Sequence, residues 1–177
     1  MARDLSDFSD FVVARWQAMY RTAYLLTGDH GHAEDLVQTA LGKCFVAWPR
    51  LRERAASDAY VRKTMLNTYL SWRRKKSWYE LASDAPPDRE SADSTEGLAQ
   101  RSVVMAALAE LPPRQRAVVV LRFFDDLGVE QVATQMGCTA GSVKRRTSVA
   151  LGKLRQALGD ITDVVNEESL VEGKGRR

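Results

Sequence analysis

Three groups of side chains in this sequence have the types and spacing to act on a partner. The first is Ser142, Lys144, Arg145, Arg146 and Ser148, just after Thr139. Arginine can pair bidentately with a guanine edge, while lysine and the hydroxyls can hold phosphates or bases, so this group suits duplex DNA. The second runs through Asn67, Ser71, Trp72, Arg73, Arg74, Lys75, Lys76 and Trp78. Aromatic faces stack on unpaired bases and cations hold the backbone, an arrangement suited to single-stranded nucleic acid. The third is the polar set Glu34, Asp35, Gln38 and Thr39. Each group also has a plainer reading. The first could be a solvated helix face, the second a set of cations favouring a helix C-terminus, and the third carboxylates favouring a helix N-terminus.

Apolar spacing predicts the helices that must carry these groups. Val129, Val132, Ala133 and Met136 form one stripe, Gly137-Cys138-Thr139 interrupts it, and Val143, Ala150, Leu151 and Leu154 begin another. Gly137 can take the positive φ of a tight turn, and Thr139 is placed to cap the second helix, with Val143 pointing back into the first. The result is a helix-turn-helix with a basic second helix. Upstream, helices are predicted over Leu5–Leu26 (stripe Phe8, Phe11, Val12, Trp16, Met19, Ala23) and Gly31–Trp48 (Ala33, Val37, Ala40, Leu41, Cys44, Phe45, Trp48). A third covers Asp58–Lys76, with Tyr60, Val61, Met65, Leu66, Tyr69 and Leu70 inward. Further helices follow at Leu98–Leu111 and at Arg114–Phe124, the latter packing Val118, Val119, Leu121 and Phe124 after a Pro112-Pro113 break.

Charge divides the same chain into blocks. Residues 1–80 hold 13 basic and 9 acidic side chains, net +4, and 99–159 hold 9 and 4, net +5. Between them, 81–98 carry 1 and 5, net −4, in a stretch rich in Pro, Ser and Asp; the last 18 residues carry 3 and 5, net −2. Two basic domains joined by a flexible acidic linker, each able to meet a polyanion, are expected. The fold class is therefore all-α, with two small helical domains. The boundaries are 1–78, a linker at 79–97, a second domain at 98–159, and a tail at 160–177 with one weakly amphipathic stretch and a flexible basic end.

Other classes find little support. There is no phosphate loop, catalytic triad or clustered metal ligand set, so no enzyme, cofactor, metal or small-molecule substrate is expected. Apolar runs fall short of the ~20 residues of a membrane span, so no membrane insertion is expected. The opening residues MARDLSDFSDF lack the apolar core of a signal peptide. Cys44 and Cys138 lie far apart, which fits a reduced, cytoplasmic protein.

In this order, the segments from about Phe8 to Leu158 resemble the extracytoplasmic-function (ECF) class of bacterial RNA polymerase sigma factors, of the SigE-like kind. HAEDLVQTALGKCFVAW is similar to the family's polymerase-binding helix, with Thr39 where a glutamate is common and Gly42 in mid-helix. AYVRKTMLNTYLSWRRKK resembles the promoter-melting helix, with Tyr60 in place of a common tryptophan and Asn67 and the basic run matching. LAELPPRQRAVVVLRFFDDLGVEQVATQMGCTAGSVKRRTSVALGKLR is similar to the fourth domain of that family throughout.

The resemblance implies sigma domain 2 at 1–78 and sigma domain 4 at 98–159. It implies that Glu34, Asp35 and Gln38 dock on the β′ coiled coil of core RNA polymerase, with the β flap as a second contact. Asn67, Ser71, Trp72, Arg73, Arg74 and Lys75 would capture the opened minus-ten strand. Thr139, Ser142, Lys144, Arg145, Arg146 and Ser148 would engage the minus-thirty-five duplex, while the linker threads the nucleic-acid channel of the polymerase. An anti-sigma factor is a further candidate partner that no residue specifies. A stand-alone helix-turn-helix regulator explains 99–158 equally well, but leaves the Asn67–Lys76 group without a role. An adaptor using the Glu34/Gln38 face is the third alternative.

Overall fold

The computed structural model describes the backbone of residues 5–51, 53–82 and 96–172, with side chains over 5–76 and 103–159, Arg52 and Arg54 excepted. Among these residues the regular structure is all helical. Helix α1, Leu5–Thr27, buries Phe11, Met19, Ala23, Leu25 and Leu26 and ends at Gly28, whose φ of +74° only glycine adopts without strain. Helix α2, His30–Ala47, starts from Asp29, whose carboxylate accepts the His32 amide at 2.7 Å. Its buried stripe is Ala33, Leu36, Val37, Ala40, Leu41 and Cys44. A short 3-10 turn at Trp48–Arg50 leads to α3, Arg54–Ala82, which packs Val61, Met65, Leu66 and Tyr69 against α1 and α2. Arg15 on α1 pairs with Asp58 on α3 at 2.7 Å, completing a three-helix bundle.

The second half contains α4 (Glu96–Ala109), α5 (Pro113–Val119), α6 (Val129–Met136) and α7 (Ala140–Glu172). Pro113 opens α5, where its missing amide hydrogen costs nothing. Helix α5 runs into a wider π turn, Val120–Phe124, closed by the Asp125 amide on the Val120 carbonyl at 3.0 Å. Helix α7 packs on α4, α5 and α6.

Several sequence expectations change here. Helix α3 extends past both predicted ends, so residues 79–82 of the expected linker are helical, as are Glu96 and Gly97; 83–95 lie outside the described residues. The backbone of the expected tail continues α7 to Glu172, and 173–177 lie outside. Phe45 and Phe124 were expected inside but are exposed, and Val120 and Leu36 take core positions instead. Residue 36 lies on the Ala33–Ala40 side of α2, whereas Phe45 falls on its outer arc, held edge-on to Phe8 at 5.2 Å between ring centres. Val120 follows buried Arg116 and Ala117 at ordinary helical spacing, while the π turn after it shifts the register and leaves Phe124 out. Trp16, counted in the first apolar stripe, is also exposed.

The two halves pack directly on each other, and their buried apolar residues form one contiguous cluster. The contacts across this seam are strongly polar. Arg116 of α5 is 7% exposed, and its Nε donates to the Leu25 carbonyl at 2.7 Å. That carbonyl belongs to the last turn of α1, where backbone acceptors lack helical partners and the dipole favours a cation. Gly28 leaves room for it, since a Cβ there would lie 3.3 Å from Arg116 Nη2. Asp125 accepts the Thr22 hydroxyl at 2.6 Å and pairs with Arg62 at 3.4 Å. Arg21 donates to the Phe124 carbonyl at 3.3 Å, and Gln135 reaches the Ala59 carbonyl at 3.4 Å.

Candidate nucleic-acid and polymerase interfaces

The turn between α6 and α7 is built as its residue types require. Gly137 adopts φ +61°, its amide bonds to the Thr134 carbonyl at 3.4 Å, and the Cys138 amide bonds to the Ala133 carbonyl at 3.0 Å. These two bonds close the end of α6 and redirect the chain. Thr139 then caps α7, its hydroxyl oxygen accepting the Ser142 amide at 3.1 Å while donating to the Ser142 hydroxyl. Val143 and Ala150 are fully buried, which fixes the rotation of α7 about its axis. With that rotation set, Gly141, Lys144, Arg145, Ser148 and Val149 lie on the solvent arc. Arg146 sits about a third of a turn away, half-buried, with Nη1 enclosed and without a hydrogen-bond partner among the described residues. The expected group therefore separates into an outward trio, a capping pair, and one arginine at the core edge.

The α3 group separates too. Asn67, Arg74 and Lys75 are exposed and Ser71 half-exposed on one arc of the helix. Trp72 is turned away from Asn67 and packs against the core, so part of its ring is already covered. Arg73, Arg74 and Lys76 border a cleft shared with Pro112, Pro113 and Arg114 of the second half. The Trp78 side chain lies outside the described residues. On α2, Glu34, Asp35 and Gln38 are exposed on one arc. That arc continues through Gly42 to Phe45 and Val46, which are 46% and 80% exposed. Sequence reasoning missed this apolar end because Phe45 also satisfies the helical spacing of the buried stripe.

Arg116 and Asp125 were missed as well. Desolvation by burial lowers the Arg116 pKa from its ordinary value, opposed by the Tyr69 hydroxyl and reinforced by the Arg73 charge. Burial likewise raises the Tyr69 pKa, against the pull of Arg116 and Arg73. Nothing local in RQRAVV or FDDLG marks these two side chains as the ones that cross to the other half.

The Sigma-70 region 2 family matches residues 13–79, and the Sigma-70, region 4 family matches residues 101–154. An RNA polymerase sigma-E factor from Streptomyces avermitilis is 37% identical over 155 residues, covering 88% of this chain and 87% of that protein. The chain belongs to the sigma-70 family, as an ECF sigma factor. ECF RNA polymerase sigma factor SigL of Mycobacterium tuberculosis is 26% identical, over 81% of this chain and 84% of that one. Among solved structures, the sigma factor RpoE from Bartonella quintana, in complex with the anti-sigma factor NepR, superposes with a TM-score of 0.74. The two are 25% identical, over 88% of this chain and 98% of that chain.

As a sigma factor the chain is an alternative transcription initiation factor. Region 2 takes in α2 and most of α3, and region 4 takes in the helix-turn-helix, so the three surfaces divide between the two regions. None of the helices among the described residues is long and apolar enough to cross a membrane.

Proposed function

We propose that this sigma factor divides promoter recognition between α3 and α7 and reaches the polymerase mainly through α2. Glu34, Asp35 and Gln38 dock on the β′ coiled coil, and Phe45 and Val46 add an apolar end to that contact. Region 4 meets the β flap. Asn67, with Ser71, Arg74 and Lys75 on the same arc, receives an unstacked base of the minus-ten strand and neutralises its phosphates. Unstacking a base costs a few kcal/mol, which a hydrogen-bonding edge and nearby cations offset. Arg73 and Trp72 join this group once the halves part. Lys144, Arg145 and Ser148 enter the major groove of the minus-thirty-five element, with Thr139 and Ser142 ordering the helix start and Arg146 beside the backbone. The chain contributes binding energy and no chemical step, acts in the cytoplasm, and is open to control by an anti-sigma factor.

The observation that carries this reading is the seating of α7: Val143 and Ala150 buried, with Lys144, Arg145 and Ser148 outward. A second consequence is geometric. Elements centred 25 base pairs apart are separated by about 85 Å of duplex. A compact chain of this length has a radius of gyration of about 16 Å. The two halves therefore separate on the polymerase. The test is promoter opening with purified chain and core polymerase, followed by permanganate reactivity. Unpaired thymines only when both proteins are present support the proposal; duplex protection by the chain alone, with no opening, points to a stand-alone regulator.

A further inference from the structure

The cleft between α3 and the start of α5 has a volume of about 450 Å³ and is lined by Leu70, Arg73, Arg74, Lys76, Pro112, Pro113 and Arg114. That volume lies within the range of small-molecule sites. Its described lining combines four cations with three apolar side chains, Leu70, Pro112 and Pro113. The site exists only while the halves are packed together, because Arg114 comes from region 4 and the other cations from region 2. Bringing Arg114 beside Arg73 and Arg74 is unfavourable in itself. The buried Arg116 guanidinium, outside the lining, lies close enough to feel the Arg73 charge, which adds to the positive field around the cleft. An anion that fills this space relieves the repulsion, and guanidinium groups match phosphate oxygens with paired hydrogen bonds.

We propose that this cleft binds a nucleoside polyphosphate, its phosphate chain among Arg73, Arg74, Lys76 and Arg114 and its nucleoside against Leu70, Pro112 and Pro113. Because the ligand binds the packed form and not the parted one, it shifts the chain toward the packed form. It also occupies Arg73 and Arg74, so it competes with minus-ten capture. That last consequence rests on the proposed role of the α3 run; binding and compaction do not.

The experiment uses the full chain at constant ionic strength, titrated separately with ATP and with inorganic tripolyphosphate. Calorimetry reads affinity and stoichiometry, and small-angle scattering reads compaction. One ATP per chain is expected, with tripolyphosphate weaker, the radius of gyration held at its packed value, and affinity falling about tenfold in Arg114→Ala and further in Arg114→Glu. Arg114 is exposed, so neither change should alter helical content, and because both relieve like-charge repulsion neither should lower the melting midpoint. Equal affinity in wild type and Arg114→Glu would overturn the site, as would an effect that added chloride reproduces. Tripolyphosphate binding as tightly as ATP would overturn the placing of a nucleoside against Leu70, Pro112 and Pro113. A short single-stranded oligonucleotide serves as a further titrant. If it binds equally well after Arg114→Glu and ATP does not compete with it, the α3 run is a nucleic-acid surface only and the proposal fails. Failure of promoter opening alone, with ATP binding intact, would instead count against the promoter-recognition reading.

Discussion

The two helical cores and the seam that joins them rest on different chemistry. Inside each half, contacts are apolar and close: Phe11, Leu36, Val37 and Met65 in one, Val118, Val120, Val132 and Val143 in the other. Across the seam, Arg116 and Asp125 leave water to meet a carbonyl, a hydroxyl and Arg62. Burying an apolar side chain is favourable in proportion to area. Burying a charge costs several kcal/mol of hydration, which its partner largely, and only largely, restores. The polar contacts of the seam therefore specify one packed arrangement while adding little net stability of their own, since parting returns both charges to water. Such a joint suits the proposed separation of the halves, and cores of this kind would not.

That contrast can be tested by substitution. Leu36→Ala removes a fully buried side chain from the first core and should cost about 3–5 kcal/mol, seen as a lower melting midpoint for the whole first bundle. Asp125→Ala should cost about 2 kcal/mol. It should act differently, expanding the scattering radius and exposing seam amides to exchange while helical content holds. A loss of helix in Asp125→Ala comparable to that in Leu36→Ala would mean that the seam is simply more core. In a double-mutant cycle with Arg62→Ala, non-additivity should report the pair directly, because their side chains are 7% and 21% exposed and lie 3.4 Å apart.

Smaller effects should follow on α7, away from the seam. Arg145→Ala should weaken binding to the upstream duplex by about 1–2 kcal/mol with no change in melting, measured with core polymerase on a closed promoter complex. Arg146→Ala should do the reverse, affecting stability more than DNA affinity, because its side chain is half-buried. Thr139→Ala removes the cap on α7 and should lower stability by about 1 kcal/mol in thermal unfolding. If Arg146→Ala matched Arg145→Ala in DNA affinity alone, the rotation assigned to α7 would be wrong.

Much of the helix-turn-helix was legible without coordinates. Gly137, Thr139 and Val143 announce a turn, a cap and a core contact through local chemistry, and all three do those jobs. The division of Lys144, Arg145 and Arg146 was less legible, since three adjacent cations look alike until the buried side of the helix is known. Phe45 failed as a local signal for a related reason. A single aromatic at the edge of a stripe fits either side, and only the neighbouring helices decide which. The π turn at Val120–Phe124 has no sequence signature in VLRFF, and it explains why Phe124 was placed inside.

The amino-acid sequence by itself determined the all-helical class, the positions of most helices, the two basic blocks and the family, because each depends on short-range spacing or on residues a few positions apart. Only the tertiary structure decided that the halves pack on one another, that Arg116 seats on the end of α1, and that Asp125 bridges to Thr22 and Arg62. These contacts join residues 63 to 103 positions apart along the chain. Their partners are a backbone carbonyl, a threonine and an arginine of ordinary type. Nothing in such residues marks a pairing until folding has brought them together and excluded the water that would otherwise hold them apart.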